Sequence, residues 1–183
     1  MRIIVAVTGA SGSLYAKRLL EELRTRNVEI HLILSETGSL VAKEELGGVE
    51  ELKALADEVY DPQDLRAPPT SGSFKVDGMI IVPASMKTVA AIAHGYSGNL
   101  ITRAADVQLK EGRTLILVPR ETPLSPIHLR NLLRLSLLGV KIIPASPAFY
   151  HKPKRINDLI DFIVGKILEQ LGFEHNLYEP WNP

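Results

Sequence analysis

The chain contains no cysteine, which removes disulfides, thiol catalysis and cysteine-ligated zinc together. It has no excess of either charge, with 21 Lys plus Arg against 21 Asp plus Glu. A general nucleic-acid or membrane-surface binder normally carries a basic surplus. Any anion must therefore be held by a local cluster of cations. No apolar run approaches the ~20 residues of a membrane span. The opening residues, MRIIVAVTGASG, run straight into a strand and a glycine turn, unlike a signal peptide. A soluble, cytoplasmic protein is expected. The five histidines (His31, His94, His128, His151 and His175) show neither HExxH nor another paired metal spacing, so no metal ligand is expected.

What is present is an ordinary globular balance: 183 residues, 45% hydrophobic and 23% charged. That length suits one domain over residues 1–183 and can bury a core without covalent staples. Five short apolar, β-branched runs lie at 3–8, 30–35, 78–83, 114–119 and 140–144. Each is apolar on both faces, as a strand covered by helices on both sides should be. Amphipathic stretches at 14–26, 37–46, 86–94, 99–111, 126–138 and 156–171 separate and close the series. Such alternation predicts right-handed crossovers and a doubly wound parallel α/β sheet with helices on both faces. The Pro/Gly/Ser-rich segment at 67–73 reads as a long loop. Residues 173–183 form a tail in which Trp181 is expected to dock on the body or on a neighbouring subunit.

Ligands of open parallel sheets bind at the carboxyl ends of the strands, so the residues after each run carry the functional reading. The first run ends in Thr8-Gly9-Ala10-Ser11-Gly12-Ser13, a tight turn into a helix start that offers free N–H groups. It is neither a Walker loop nor GxGxxG, and a plain helix cap is the competing reading. Ser35-Glu36-Thr37 follows the second run, and Ser85-Met86-Lys87-Thr88 the third. Either alone reads as an N-cap. Three serine-bearing turns on one crevice suggest a hydrogen-bonding cradle for a flat, phosphorylated ligand. Arg103 and Lys110 share a helix face, with Asp106 placed to pair with either. Arg120-Glu121 stands between prolines at the end of the fourth run, where a surface ion pair is the alternative. After the fifth, a proline-stiffened loop presents Phe149, Tyr150 and His151.

These segments together resemble the UbiX/Pad family of flavin prenyltransferases. The resemblance runs in order through TGASG at 8–12, PPTSGS at 68–73, PASMKT at 83–88 and NLITRAADVQLKEGR at 99–113. It continues through LVPRETPL at 117–124, IHLRNLLRLSLLG at 127–139 and PASPAFYHKP at 144–153. It implies a Rossmann-like or flavodoxin-like fold and transfer of a dimethylallyl group from dimethylallyl phosphate to N5 and C6 of reduced FMN, without a metal. The product would serve a UbiD-type decarboxylase.

The resemblance also implies residue roles. Gly9, Ala10 and Ser11 would hold the isoalloxazine edge, with Ser11 near N5. Ser35, Ser85, Met86, Lys87, Thr88 and Arg120 would bind the rest of FMN. Lys110, Arg120, Tyr150 and Lys166 would hold the donor phosphate, helped by Arg103. Glu121 would be the acid/base, set close to that phosphate by Arg120, and Glu45 a second carboxylate from a neighbouring element. Members form large homo-oligomers, commonly dodecamers, with the site at subunit contacts. Two departures stand out. Lys166 replaces the usual arginine, keeping the charge without the planar fork, and Leu65-Arg66 replaces a frequent aromatic residue. Segment 47–66 is the poorest match. The alternative activity is an FMN-dependent cysteine decarboxylase of the phosphopantothenoylcysteine type. An NAD(P) oxidoreductase using Glu36 lacks its accompanying motifs, and a plain flavin carrier would not need the cations.

Overall fold

A computed structural model describes residues 1–182. Six parallel strands form one sheet in the order β3-β2-β1-β4-β5-β6. They are β1 (Arg2–Val7), β2 (Glu29–Leu34), β3 (Glu58–Tyr60), β4 (Gly78–Ala84), β5 (Thr114–Pro119) and β6 (Lys141–Ile142). The strand order reverses between β1 and β4, which are paired in register from Ile3–Gly78 to Ala6–Ile81. A crevice is expected at that switch point.

Among the described residues there are seven α-helices: α1 (Ser13–Thr25), α2 (Glu36–Leu46), α3 (Glu50–Ala54), α4 (Met86–Ala93), α5 (Leu100–Lys110), α6 (Pro126–Leu137) and α7 (Ile156–Gln170). A 3-10 turn spans Pro68–Thr70. Side chains alternate across a strand, and the core divides accordingly. Ile3, Val5 and Val7 pack with Leu19, Leu20 and Leu23 of α1 and with Ile163, Val164 and Ile167 of α7. Ile4 and Ala6 face the other way, onto Val89 of α4, Ala104 of α5 and Leu135 of α6. The doubly wound sheet is thus as the sequence predicts.

Two elements in segment 47–66 differ from that reading. β3 is a sixth strand of three residues, paired to β2 from His31 to Ile33. Glu58 and Val59 are exposed on this edge, so the strand needs no apolar run and gives no sequence signal. The five residues of α3 are too few for a helical period to show. At the opposite edge, β6 keeps only two ladder residues of the expected run at 140–144.

Most helix starts are fixed by side chains. The Ser35 Oγ accepts from the Gly38 N–H at 2.9 Å, and the Ser125 Oγ from the His128 N–H at 3.2 Å. Asn99 and Thr102 form a reciprocal capping box. α1 has no such cap of its own.

Candidate active site

The turns after β1, β2 and β4 are tied to one another. The Thr8 hydroxyl donates to the Pro83 carbonyl at 2.8 Å and accepts from the Ser85 N–H at 2.7 Å. The Ser35 N–H donates to the Val7 carbonyl at 3.0 Å. The three serine-bearing turns therefore stand side by side at the carboxyl ends of β1, β2 and β4. Gly9 lets the second turn approach, since a Cβ there would lie 2.5 Å from Thr37 Oγ1. At the third turn, Met86 and Thr88 are buried and Lys87 is exposed. Met86 belongs to the core, so its contribution to a ligand would come from its backbone.

The start of α1 is organised around Glu45 of α2. Gly12 has φ +122°, a conformation that L side chains rarely adopt, and it turns the chain so that successive N–H groups point one way. Glu45 receives them: its carboxylate accepts from the Gly12 N–H at 3.0 Å and from the Ser13 N–H at 2.6 Å. Burial pushes the Glu45 carboxyl up. The Ser11 hydroxyl, the two N–H groups and Ser13 outweigh that and hold it below the ordinary range. A fixed anion at this helix start also complements the helix dipole.

Beside it opens a cleft of about 390 Å³, lined by Ser11, Tyr15, Glu45, Arg120, Ala145 and Ile160 among others. The Arg120 Nε donates to the Ser11 carbonyl at 3.3 Å. Three of the expected site residues, from the ends of β1 and β5 and from α2, thus meet at one point.

The remaining expected residues lie elsewhere. Glu121 is exposed and accepts from the Thr122 N–H at 3.0 Å. The expected Arg120–Glu121 pairing is corrected, because Arg120 turns to Ser11 instead. Both residues lie beyond the end of β5, and each finds a different partner, so adjacency in sequence did not make a pair.

Arg103 bonds Asp106 at 2.7 Å and donates to the Thr70 carbonyl at 3.2 Å. Lys110 pairs with its neighbour Glu111. Both cations sit against the 68–73 loop, which Arg113 fastens by donating to the Gly72 and Phe74 carbonyls. Tyr150 and Lys166 line a third region, a cleft of about 600 Å³ bordered by the C-terminal tail. There the Trp181 ring lies 5.4 Å from Tyr150, so the tail docks on the body as one of the two expectations had it. Within one chain the five expected donor residues occupy three places.

Sequence reasoning missed Arg113, Tyr15 and the companions of Lys166, namely Glu169 and Tyr178. Glu169 was legible as an i+3 neighbour of Lys166. Tyr178 returns from the tail, and no periodicity announces that contact.

The crevice fits FMN by its donor chemistry. Hydroxyls of Ser35 and Ser85 stand at the starts of α2 and α4, and an Arg120 guanidinium and exposed Lys87 border the same strand ends. Helix starts with hydroxyls and cations suit a phosphate and a polyol chain.

The profile of the Flavoprotein family matches residues 1–168. A flavin prenyltransferase UbiX from Methanocaldococcus jannaschii is 51% identical over 182 residues, which cover 99% of this chain and 98% of that protein. The chain belongs to the UbiX flavin prenyltransferase family.

Solved structures of relatives agree with that membership. A dodecameric FMN-dependent UbiX-like decarboxylase from Escherichia coli superposes with a TM-score of 0.97 at 46% identity, covering all of both chains. AnUbiX, crystallised with FMN and dimethylallyl pyrophosphate, gives 0.97 at 49% identity and covers 100% of this chain and 97% of its own. The peptidyl-cysteine decarboxylase EpiD reaches only 0.66 at 19% identity, a likeness of fold alone. Among the described residues of this flavin prenyltransferase family member, no helix is long and apolar enough to cross a membrane.

Proposed function

We propose that this chain transfers a dimethylallyl group from dimethylallyl phosphate to N5 and C6 of reduced FMN, acting in the cytoplasm as a homo-oligomer. The modified flavin would pass to a UbiD-type decarboxylase. The observation that carries the reading is the meeting of Ser11, Glu45 and Arg120 in one cleft at the strand ends, in a chain half identical to flavin prenyltransferases along its length.

Gly9, Ala10 and Ser11 would hold the flavin edge, while Ser35, Ser85, the backbone of Met86, Lys87 and Thr88 would hold its polar chain. Bound there in reduced form, FMN supplies the nucleophile. Everything else is done by side chains. A departing phosphate needs its growing charge neutralised, and fixed cations do so without reorganising at the moment of reaction. Lys110, Arg120 and Lys166 would take that role, with Arg103 beside them and Tyr150 as a hydroxyl donor. Glu121, exposed at the end of β5, would exchange protons with the phosphate and the ring-closing centre. Glu45 would fix the Ser11–Ser13 turn against the flavin edge. The cations are spread over three parts of one chain, so the reading requires neighbouring subunits to complete each site. A dodecameric relative and one crystallised with FMN and dimethylallyl pyrophosphate support it.

The test is mass spectrometry of the flavin after incubating the protein with FMN, a reductant and dimethylallyl phosphate. A gain of one C5H8 unit is expected. Unmodified flavin under conditions where FMN is bound would overturn the proposal.

A further inference from the structure

The chain does not end with α7. It turns after Gln170 and returns over that helix, and the contacts it makes there converge on Lys166. Gly165 provides the seat. A Cβ at this position would lie 2.5 Å from a Tyr178 ring carbon and 2.6 Å from a His175 ring carbon. Glycine inside a helix is disfavoured relative to alanine, and here its bareness is what lets both rings close on the helix. The Tyr178 hydroxyl donates to Glu169 Oε1, and His175 Nε2 lies 3.5 Å from that same oxygen. Lys166 Nζ donates to Glu169 at 3.0 and 3.3 Å. The ammonium also stands 5.3 Å from the Tyr178 ring centre and 5.8 Å from that of Phe162.

An exposed ion pair three residues apart on a helix contributes little to stability and needs no third residue from a tail. A lysine intended for a phosphate has another need. Its four-carbon stem is flexible, and ordering it on binding costs affinity. An ammonium carries three N–H donors. Glu169 engages one side of it, and the rest remains for the cleft that Lys166 and Tyr150 line.

We propose that Tyr178 is a positioning residue for Lys166, holding the ammonium through Glu169 at the cleft where the donor phosphate binds. This rests on the reading of Lys166 as a donor ligand given above. The tail thereby does for a lysine what a planar guanidinium does for itself.

The experiment compares the full-length protein with Tyr178→Phe, Lys166→Arg, the double variant and Lys166→Ala, using dimethylallyl phosphate as the probe. Two quantities are read: the donor KM and kcat, and donor affinity from fluorescence. The chain has one tryptophan, Trp181, and it stands beside Tyr150 in this cleft. Fluorescence therefore follows donor binding without turnover, and its emission maximum reports whether the tail is still docked. Tyr178→Phe should raise donor KM and Kd about 3- to 10-fold, the effect of losing one hydrogen bond, with kcat changed less than about twofold. On Lys166→Arg the same change should cost less than about twofold, because the fork is already planar. Equal losses in both backgrounds would show a merely structural tail and overturn the proposal. So would an unchanged donor KM in Tyr178→Phe while Lys166→Ala raises it. If Lys166→Ala leaves donor KM and Kd unchanged, the reading of Lys166 itself falls, and the positioning role with it.

Discussion

Removing the Glu45 carboxylate separates its structural role from any chemical one. α1 has no side-chain cap of its own, and Glu45 accepts from both the Gly12 and Ser13 N–H groups. In Glu45→Ala those donors lose their acceptor at the edge of an open cleft, where water can replace it in part. The loss then falls in the range of a lost N-cap, about 1–2 kcal/mol. For a domain of this size that corresponds to about 2–8 °C in Tm. Glu45→Gln keeps an oxygen acceptor and loses only the charge at the helix start, so about 0.3–1 kcal/mol is expected.

The pH dependence has a definite sign. The folded-state carboxyl titrates below its ordinary value, so its extra stabilisation is present above the unfolded value of about 4.3. It disappears as pH falls through the folded value. The gap between parent and Glu45→Gln should therefore be full at pH 7 and shrink below about pH 4. Urea denaturation at fixed protein concentration measures it, since association shifts the midpoint by mass action. An unchanged midpoint for Glu45→Ala at pH 7, or a gap that widens on acidification, would refute the capping argument.

Three other outcomes follow from the same geometry. Glu121→Gln should leave FMN binding intact and lower product formation about 10²- to 10⁴-fold, as loss of a general acid–base does; parent-like turnover would remove Glu121 from the proton path. Activity should survive EDTA, because Lys110, Arg120 and Lys166, with Arg103, are proposed to neutralise the phosphate in place of a metal. Dimethylallyl phosphate should outperform the pyrophosphate, because three of those four cations are already offset by a carboxylate; a strict magnesium requirement or a pyrophosphate preference would reverse that assignment. On α6, Leu133 and Leu137 are 59% and 79% exposed. Replacing both by Glu should shift the sedimenting species to a smaller one, each lost leucine contact contributing about 1.5–3 kcal/mol when buried; an unchanged oligomer would place the interface elsewhere.

The sheet was legible because its central strands are covered on both faces, and burial on both faces forces runs such as Ile3 to Val7. What escaped was whatever the core does not specify. β3 keeps Glu58 and Val59 in solvent, and the five-residue α3 buries only Leu52. At the site, the serine-bearing turns were legible because topology fixes where strand ends meet. The partner of Arg120 was not. Sequence adjacency offered Glu121, whereas the direction of the side chain after β5 delivers it to a carbonyl 109 positions away. Lys166 could be read as a cation, but the tail ring that orders it arrives through a return of the chain that depends on a bare Gly165.

The charge arrangement bears on why the cations are dispersed. The chain carries equal numbers of acids and bases, and three of the proposed phosphate ligands already hold a local carboxylate: Arg103 with Asp106, Lys110 with Glu111 and Lys166 with Glu169. Only Arg120, among the described residues proposed for the phosphate, bonds a neutral carbonyl instead. Gathering four cations into one empty pocket of a single chain would set like charges side by side with nothing to offset them. Keeping them on separate surfaces, each beside an acid, avoids that cost until subunits meet. The exposed leucines of α6 give the apolar surface from which such a meeting can draw its free energy. At Arg103 and Lys110 a phosphate dianion can then outcompete the singly charged carboxylates, while Lys166 keeps Glu169 on one side of its ammonium and offers its remaining donors. On this reading Arg120, already turned towards Ser11 and not engaged with an acid, marks where the donor phosphate first binds.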